Sequence, residues 1–288
     1  MKMKKVIAGI LAIAMGASLC ACGGAQAGSG EEEQAEKLTV AVSPDFSPME
    51  FVDTSKTGQE QYVGFDIMLA QYIADEMGME LEIKPMSFDA CQAAVQSGKV
   101  NMSISGYSYT PERAENFNLS DYYYAGENET KQAIIVKAEN AGKFTKAEDF
   151  ANLTVGAQTA SLQMNLCTSK LPKSAKIKEF GDIGTAVEAL RAGNIDALAV
   201  ANGNGEAIIA NNDMLGFSGF MFEIDEAAEN NVILLKKGDD ELLAKVNELL
   251  AKAYENGYYA EWYAKAQQMA GIDTAADVTY DDEGNVEE

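Results

Sequence analysis

The sequence contains no histidine among its 288 residues. Histidine is the commonest general base and the commonest metal ligand of proteins, so its absence disfavours most hydrolase mechanisms and most metal sites. The other residue types supply no recognisable pair of a nucleophile and its base. We therefore expect no catalytic residues, no metal and no cofactor, and we do not expect an enzyme.

Cysteine is also scarce, with four residues in the whole chain. Cys20 and Cys22 stand at the end of the N-terminal apolar segment, which leaves Cys91 and Cys167 for the body of the protein. A disulfide framework needs more cysteines than these two, and each lies in a helix-like segment. We expect both to be buried as small apolar residues, with a bridge between them as the alternative.

The N-terminal apolar run, residues 6–19, is shorter than the roughly 20 residues that span a bilayer. It follows three lysines, as in a signal peptide, and ends in LCACGG, which resembles a lipoprotein cleavage box. Cys22 fits the modified position because the small Ala21 precedes it. We expect residues 1–21 to be removed and Cys22 to carry palmitate on the outer side of the cell membrane. An uncleaved anchor, or secretion with a chance cysteine, is the alternative.

Positive charge is in short supply, because 22 Lys and Arg face 45 Asp and Glu and give a net charge of −23. Such an acidic protein is not expected to bind nucleic acid or anionic lipid through its general field. Only two of the basic residues are arginines. Arg191 precedes a glycine and is expected on the surface at a helix end. Arg113 ends the stretch SISGYSYTPER, and its planar guanidinium suits a carboxylate held by two parallel hydrogen bonds. The alternative for Arg113 is a surface arginine after a turn.

Strand-like and helix-like patterns alternate along the chain. Apolar, β-branched runs predict strands at 38–42, 81–83 and 100–105, and apolar residues at helical spacing predict helices at 67–77 and 88–96. This alternation is typical of an α/β protein with a largely parallel sheet that helices cover on both faces.

The pattern also repeats within the chain. LTVAVS at 38–43 recurs as LTVGAQ at 153–158, and VQSGKVNMSISG at 95–106 recurs as LRAGNIDALAVA at 190–201, in the same order. Two α/β units of similar plan explain this better than chance similarity between buried strands. Amphipathic helices follow the second unit from residue 239 and must pack somewhere, so we expect the chain to cross between the units twice.

Longer stretches resemble a known family, the bacterial extracellular solute-binding proteins of family 3, which deliver polar amino acids to ABC importers. The similarity covers residues 38–270 and includes VGFDIMLAQYIADEMG, SFDACQAAVQSGKVNMSISGYSYTPER and LLKKGDDELLAKVNELLAKAYENGYYAEWYAKA. It implies a periplasmic-binding-protein-like fold of type II, with two α/β lobes, each a mixed sheet flanked by helices, and a two-strand hinge. The expected parts are a tether at 22–37, a first lobe from 38–126 and 232–272, a second lobe from 127–231, hinge crossings near 126–132 and 225–232, and an acidic, disordered tail at 273–288.

The resemblance implies a monomeric substrate-binding lipoprotein outside the cytoplasm. It would capture an amino acid or a related small carboxylate between its lobes and deliver the ligand to the membrane permease of an ABC importer, with its lipid anchor keeping it at the membrane. A sensing receptor component is the first alternative. An enzyme similar to dehydratases of cyclic carboxylates is the second.

Site residues are implied position by position. Arg113 would pair with the ligand carboxylate, helped by Ser108, while the backbone of Ser105 and Gly106 would lie along the ligand. Phe46 and Phe88 would form aromatic walls, with a place in the core as the alternative.

On the second lobe, the loop VGAQTASLQ would meet the carboxylate with Gln158, Ser161 and nearby amides, assisted by a helix dipole. Ser161 has an alternative role as a helix N-cap. Asp66 is expected to cap its helix rather than to touch the ligand.

The sequence departs from the family at two positions. Ala201 stands where the family has an acid for the ligand ammonium, so Asn202 or Glu206 would have to substitute. Ser43 stands where the family often has an aspartate for basic side chains, and Asp45 has the wrong spacing for that role. A basic amino acid is therefore disfavoured, and a carboxylate with a weak, displaced or absent amine becomes more plausible.

Overall fold

The computed structural model describes residues 36–123, 131–224 and 230–272. Nearly all of the expected signal peptide and tether, including Cys22, lies outside the described residues, as do the acidic tail and most of both hinge crossings. Within the described ranges, none of the helices combines the length and the apolar character that a membrane crossing requires.

The first of two five-stranded sheets runs in the order β5-β1-β6-β13-β7. Strand β1 pairs parallel with β5 and β6, and β13 pairs antiparallel with β6 and β7. The strands are β1 Lys37–Val42, β5 Glu80–Pro85, β6 Met102–Ser108, β7 Phe117–Leu119 and β13 Asn231–Lys236. A small antiparallel sheet beside it is formed by β2 Asp45–Phe46, β3 Glu50–Val52 and β4 Tyr62–Val63.

The second sheet runs in the order β10-β9-β11-β8-β12. Strand β9 pairs parallel with β10 and β11, and β8 pairs antiparallel with β11 and β12. The strands are β8 Gln132–Lys137, β9 Thr154–Gln158, β10 Lys176–Phe180, β11 Ala197–Ala201 and β12 Leu215–Phe222.

The two repeats occupy equivalent positions in these sheets. LTVAVS forms β1 and LTVGAQ forms β9, each second in its sheet between two parallel neighbours. Two α/β units of one plan are therefore present in the described chain. The expectation of a largely parallel sheet is wrong, because two of the four strand pairings in each sheet are antiparallel. Both antiparallel pairings involve the strand that follows a crossing between units, β13 or β8, and this strand enters in the opposite direction.

Helices cover both faces of each sheet. The first lobe comprises β1–β7 and β13 with the helices α1 Phe65–Met77, α2 Phe88–Gln96, α3 Pro111–Asn116, α7 Asp240–Glu255 and α8 Tyr258–Met269. The second lobe comprises β8–β12 with α4 Leu162–Lys170, α5 Ile183–Arg191 and α6 Asn202–Ala210. Short 3-10 turns occur at Gly58–Gln61, Ala138–Asn140 and Ala147–Phe150.

The cores follow the apolar faces of these elements. Helix α1 buries Leu69, Ile73 and Ala74 against the first sheet and ends at Gly78, which adopts the left-handed conformation typical of a helix C-terminus. Cys91 and Cys167 are buried and unbridged, as expected. Each lobe therefore has its own core, and the polar side chains of the loops are free to form a site between the lobes.

Candidate functional site

Arg113 is placed by the turn that follows β6. Thr110 caps α3 by accepting a hydrogen bond from the backbone nitrogen of Arg113 at 3.1 Å, and Pro111 begins the helix, where its missing N–H costs nothing. This turn brings the guanidinium back to the end of β6, where Nη1 donates to the carbonyl oxygen of Ser108 at 2.6 Å. The Thr110 cap and Pro111 therefore start the helix and bring Arg113 back to β6.

The Arg113 guanidinium is a buried charge without an anionic partner. The side chain is 6% exposed, and the ion pairs of the described residues do not include it. Its carbon lies 5.6 Å from the ring centre of Phe88 and 5.2 Å from that of Tyr107. Burial lowers the pKa of Arg113 to about 10, which leaves it charged at neutral pH. An unpaired buried charge is costly, so this position is suited to an incoming anion.

Arg113 also reaches the second lobe. Its Nη2 donates to the carbonyl oxygen of Ala160 at 3.0 Å, in the loop between β9 and α4. Ala160 has a φ of 60°, a left-handed conformation that is uncommon for a residue with a side chain. Gln92 of α2 contacts the same carbonyl at 3.5 Å. Arg113 thus uses two of its five N–H groups, one within the first lobe and one that joins the lobes, and three remain for other acceptors.

The cleft between the lobes brings together most of the expected site residues. Arg113, Ser108, Ser105, Gly106, Phe46, Phe88 and Gln158 line it together with Asp45, Leu162, Gln163, Ile183, Ala199, Val200 and Ala201. Phe88 is 7% exposed and packs on Tyr107 with 4.7 Å between ring centres, so it belongs to the core and to the cleft wall at once.

Gly106 is required by the position of Phe46. Its φ is 56°, and a Cβ atom there would lie 2.6 Å from Cε1 of Phe46. The aromatic ring therefore rests directly on the backbone of β6, and the two residues form one surface of the cleft.

Two expected residues do not line the cleft. Ser161 caps α4, since its hydroxyl accepts from the nitrogen of Met164 at 3.1 Å and donates to the carbonyl oxygen of Gln158 at 2.7 Å. Asn202 donates its side-chain amide to Glu206 at 2.8 Å. Local hydrogen bonds therefore occupy both side chains, as the capping alternative for Ser161 anticipated.

Asp45 is the residue whose role sequence reasoning underestimated. Its Oδ2 accepts from the backbone nitrogen of Ile183 at 2.5 Å and from Nε2 of Gln158 at 3.3 Å, both on the second lobe. Its Oδ1 accepts from the hydroxyl of Ser43 at 3.0 Å. Burial raises the pKa of Asp45 although these three hydrogen bonds oppose the shift. Among the described cleft-lining residues, Asp45 is the one anionic side chain and Arg113 the one cationic side chain.

Asp66 does not cap its helix, which corrects the expectation. Helix α1 begins after Gly64, and the carboxylate of Asp66 accepts from the nitrogen of Gly106 at 2.8 Å and from the hydroxyl of Tyr123 at 3.1 Å. Gly64 has a φ of 123°, and a Cβ atom there would lie 2.3 Å from the carbonyl oxygen of Met49. The Gly-Phe-Asp triplet therefore holds a carboxyl group behind β6, where local pattern alone could not place it.

Comparison with known proteins finds consistent similarity. Residues 38–268 match the family described as bacterial extracellular solute-binding proteins, family 3. The arginine-binding extracellular protein ArtP of Bacillus subtilis (strain 168) is 30% identical over 256 residues, covering 88% of this chain and 94% of the relative. A probable histidine-binding protein of Campylobacter jejuni is 29% identical over 268 residues, covering 88% and 99%.

Solved structures agree with these relatives. The amino acid ABC transporter substrate-binding protein AbpA of Streptococcus pneumoniae Canada MDR_19A, bound to L-arginine, superimposes with a TM-score of 0.74 at 33% identity, covering 81% of this chain and 95% of that one. An ancestral arginine-binding protein bound to glutamine gives a TM-score of 0.68 at 31% identity, covering 80% and 96%. The expected two-lobe fold with mixed sheets is confirmed.

Proposed function

This chain belongs to the bacterial extracellular solute-binding proteins of family 3, and we propose that it captures an amino acid between its lobes for an ABC importer. Its relatives are solute-binding proteins rather than enzymes. The observation that carries the proposal is the Arg113 guanidinium, which is buried, charged and without an ion-pair partner among the described residues, in a cleft lined from both lobes. A ligand carboxylate would supply the missing negative charge through charge-assisted hydrogen bonds.

Both lobes contribute to this grip. Ser108 and Arg113 approach the ligand from the first lobe, and Gln158 and the N-terminal end of α4 approach from the second. Since neither side encloses the cleft alone, the ligand favours the closed arrangement through its differential contacts with the two lobes.

We propose a cationic amino acid, with L-arginine as the first candidate. The opposing expectation rested on the missing charge at Ser43, and it stays a prediction, but its premise is weakened. The Ser43 hydroxyl donates to Asp45, whose carboxylate lines the cleft. The similarity to arginine-binding and histidine-binding proteins supports the same choice.

A thermal-shift screen of the amino acids and small carboxylates tests this proposal. A ligand at a hundred times its dissociation constant stabilises the native state by about 2.7 kcal/mol. For a chain of this size that corresponds to a rise in Tm of roughly 5–10 °C. We expect L-arginine to give the largest shift. A screen in which no amino acid raises the Tm would overturn the proposed function, and shifts confined to carboxylates without an amine would overturn the choice of ligand.

Gly106→Ala tests the wall formed with Phe46. An alanine at this left-handed φ costs about 1–2 kcal/mol of stability, and its methyl group would displace the ring as well. We expect both a lower free energy of unfolding and a weaker ligand affinity, measured by chemical unfolding and titration calorimetry. Gly98→Ala is the control, because Gly98 has a φ of 68° but meets only the flexible Lys236 side chain. It should lose similar stability and keep the affinity, and equal affinity losses in both variants would contradict the proposed wall.

We further propose that Cys22 carries the lipid anchor and that the liganded protein docks on the permease. The support is the LCACGG sequence and the importer assignment of the relatives. Labelling of growing cells with palmitate tests the anchor, since Cys22→Ala should lose both the label and the membrane association.

A further inference from the structure

Two carboxyl groups are buried directly behind the strand that forms one wall of the cleft. Glu50 of β3 and Asp66 of α1 are both 0% exposed. The hydroxyl of Ser105 donates to Glu50, and the backbone nitrogen of Gly106 donates to Asp66 at 2.8 Å. Ser105 and Gly106 both line the cleft, so each carboxyl group lies one hydrogen bond behind the surface that a ligand touches.

When Glu50 and Asp66 are both ionised, the pair lacks a hydrogen-bond donor for two of its oxygens. Glu50 Oε2 and Asp66 Oδ1 are buried and have no donor if both groups are ionised. The two carboxyl groups are close enough to interact electrostatically, and two neighbouring buried carboxylates cannot both carry a charge at low cost. A single proton retained by the two carboxyl groups supplies a donor that these oxygens lack and leaves the pair with one negative charge.

The residues around the pair influence the pH at which the pair loses its first proton. The groups that face it are Asp45 from β2, Ser105 and Tyr107 from β6, and Tyr123, and none of these is a cation. Burial raises the pKa of Asp66 to about 7, against the opposing hydrogen bonds from Gly106 and Tyr123. Burial, followed by the charge of Asp66, raises the pKa of Glu50 well above its usual range. The pair therefore passes from two protons to one close to neutral pH.

We propose that the Glu50–Asp66 pair supplies the negative charge that holds the ligand's cationic group against Ser105 and Gly106, and that binding of a cation expels one proton from the pair to solvent. The inference rests on the proposed function. It identifies another source for the negative charge that the family has at the position of Ala201. Glu50 and Asp66 act here as positioning residues, because Ser105 and Gly106 stand between them and the ligand.

The linkage between ligand binding and protonation of the pair determines whether the affinity rises or falls with pH. A bound cation favours the ionised form of the pair, so an ionised pair favours the cation by the same factor. Affinity should therefore rise as the pH increases through about 7, where the pair loses its second proton. We expect L-arginine to bind about tenfold more tightly at pH 8 than at pH 5.5, within the usual range of coupling between sites.

Titration calorimetry with L-arginine, in two buffers of different ionisation enthalpy at each pH, measures the protons released. The wild-type protein should release a proton at pH 6 and little at pH 8. Asp66→Asn removes the group whose pKa burial raises to about 7, so proton release between pH 5.5 and 8 should vanish. This variant should bind L-arginine as wild type does at pH 5.5 but more weakly than wild type at pH 8, whereas a folding defect would weaken binding at both pH values.

Three further variants complete the test. Glu50→Gln retains the buried Asp66 and should retain the proton release. Asp45→Asn separates the titration of Asp45 from that of the pair and should retain the proton release. The exposed Glu255→Gln is the matched control and should behave as wild type.

Two results would overturn the coupling while leaving the proposed function intact. One is binding of L-arginine with no proton exchange and constant affinity from pH 5.5 to 8, and the other is a wild-type pH profile in Asp66→Asn. If no amino acid binds at all, the proposed function and this inference fail together. In the ligand-free protein the pair holds more protons than the unfolded chain, so the free energy of unfolding should fall from pH 4 to 7 more steeply in wild type than in Glu50→Gln.

Discussion

Arg113→Ala is expected to reduce the affinity for L-arginine, or for the best ligand of the screen, about a thousandfold. Removing one partner of a buried, hydrogen-bonded charge pair costs roughly 3–5 kcal/mol, and about 4 kcal/mol corresponds to that factor. Arg113→Lys should recover only part of the loss, because an ammonium group cannot make the bidentate contact of a guanidinium. Titration calorimetry on the three proteins measures the effect.

The stability of the ligand-free protein separates this loss from misfolding. Without a ligand, the buried Arg113 charge forms no ion pair with the described residues, so its removal relieves a desolvation cost. The variant also loses hydrogen bonds to Ser108 and Ala160, which opposes that gain. We therefore expect the free energy of unfolding to change by no more than about 1 kcal/mol while binding is lost.

The other arginine of the chain supplies the control. Arg191 forms an exposed ion pair with Glu188 at 2.7 Å within α5. Such pairs contribute about 0–1 kcal/mol, so Arg191→Ala should change neither stability nor affinity appreciably. An Arg113→Ala protein that binds its ligand as wild type does would remove the basis of the proposed function.

Features encoded locally were predictable from the sequence. The helix ending at Gly78 and the repeated strands that became β1 and β9 depend on residues a few positions apart. Capping has the same local origin, which is why the N-cap alternative for Ser161 could be stated in advance.

Features that join distant segments were not predictable in this way. Asp45 meets Ile183 across 138 positions, and Glu50 and Asp66 become neighbours only when the small sheet folds against α1. Spacing relative to the family position placed Asp45 outside the site, whereas the fold places it in the cleft wall. Similarly, the antiparallel entry of β13 depends on a return from the second lobe that no local pattern contains.

Asp45→Ala is expected to cause the second large loss of ligand affinity, because the Asp45 carboxylate makes two kinds of contact. It joins the lobes by accepting from Ile183 at the start of α5 and from Gln158, and it is the anionic side chain of the described cleft wall. The helix dipole of α5 adds to the first contact. We expect the affinity for L-arginine to fall about a hundredfold, as the loss of hydrogen bonds to a charged group implies.

L-Citrulline distinguishes the two contacts, because it has nearly the shape of L-arginine without the side-chain charge. If Asp45 only joined the lobes, Asp45→Ala would weaken both ligands equally. We expect about a tenfold loss for L-citrulline and the larger loss for L-arginine, because a carboxylate in the wall attracts only the cationic side chain.

Asn204→Ala is the matched variant for lobe contact alone. Asn204 donates to the carbonyl oxygen of Ser47 at 3.1 Å across the same interface and carries no charge. Its removal should weaken the two ligands by the same factor, and small-angle scattering should show a larger radius of gyration for the liganded form of either variant. Equal losses of affinity for the two ligands in Asp45→Ala would mean that Asp45 only joins the lobes and does not recognise the side-chain charge of the ligand.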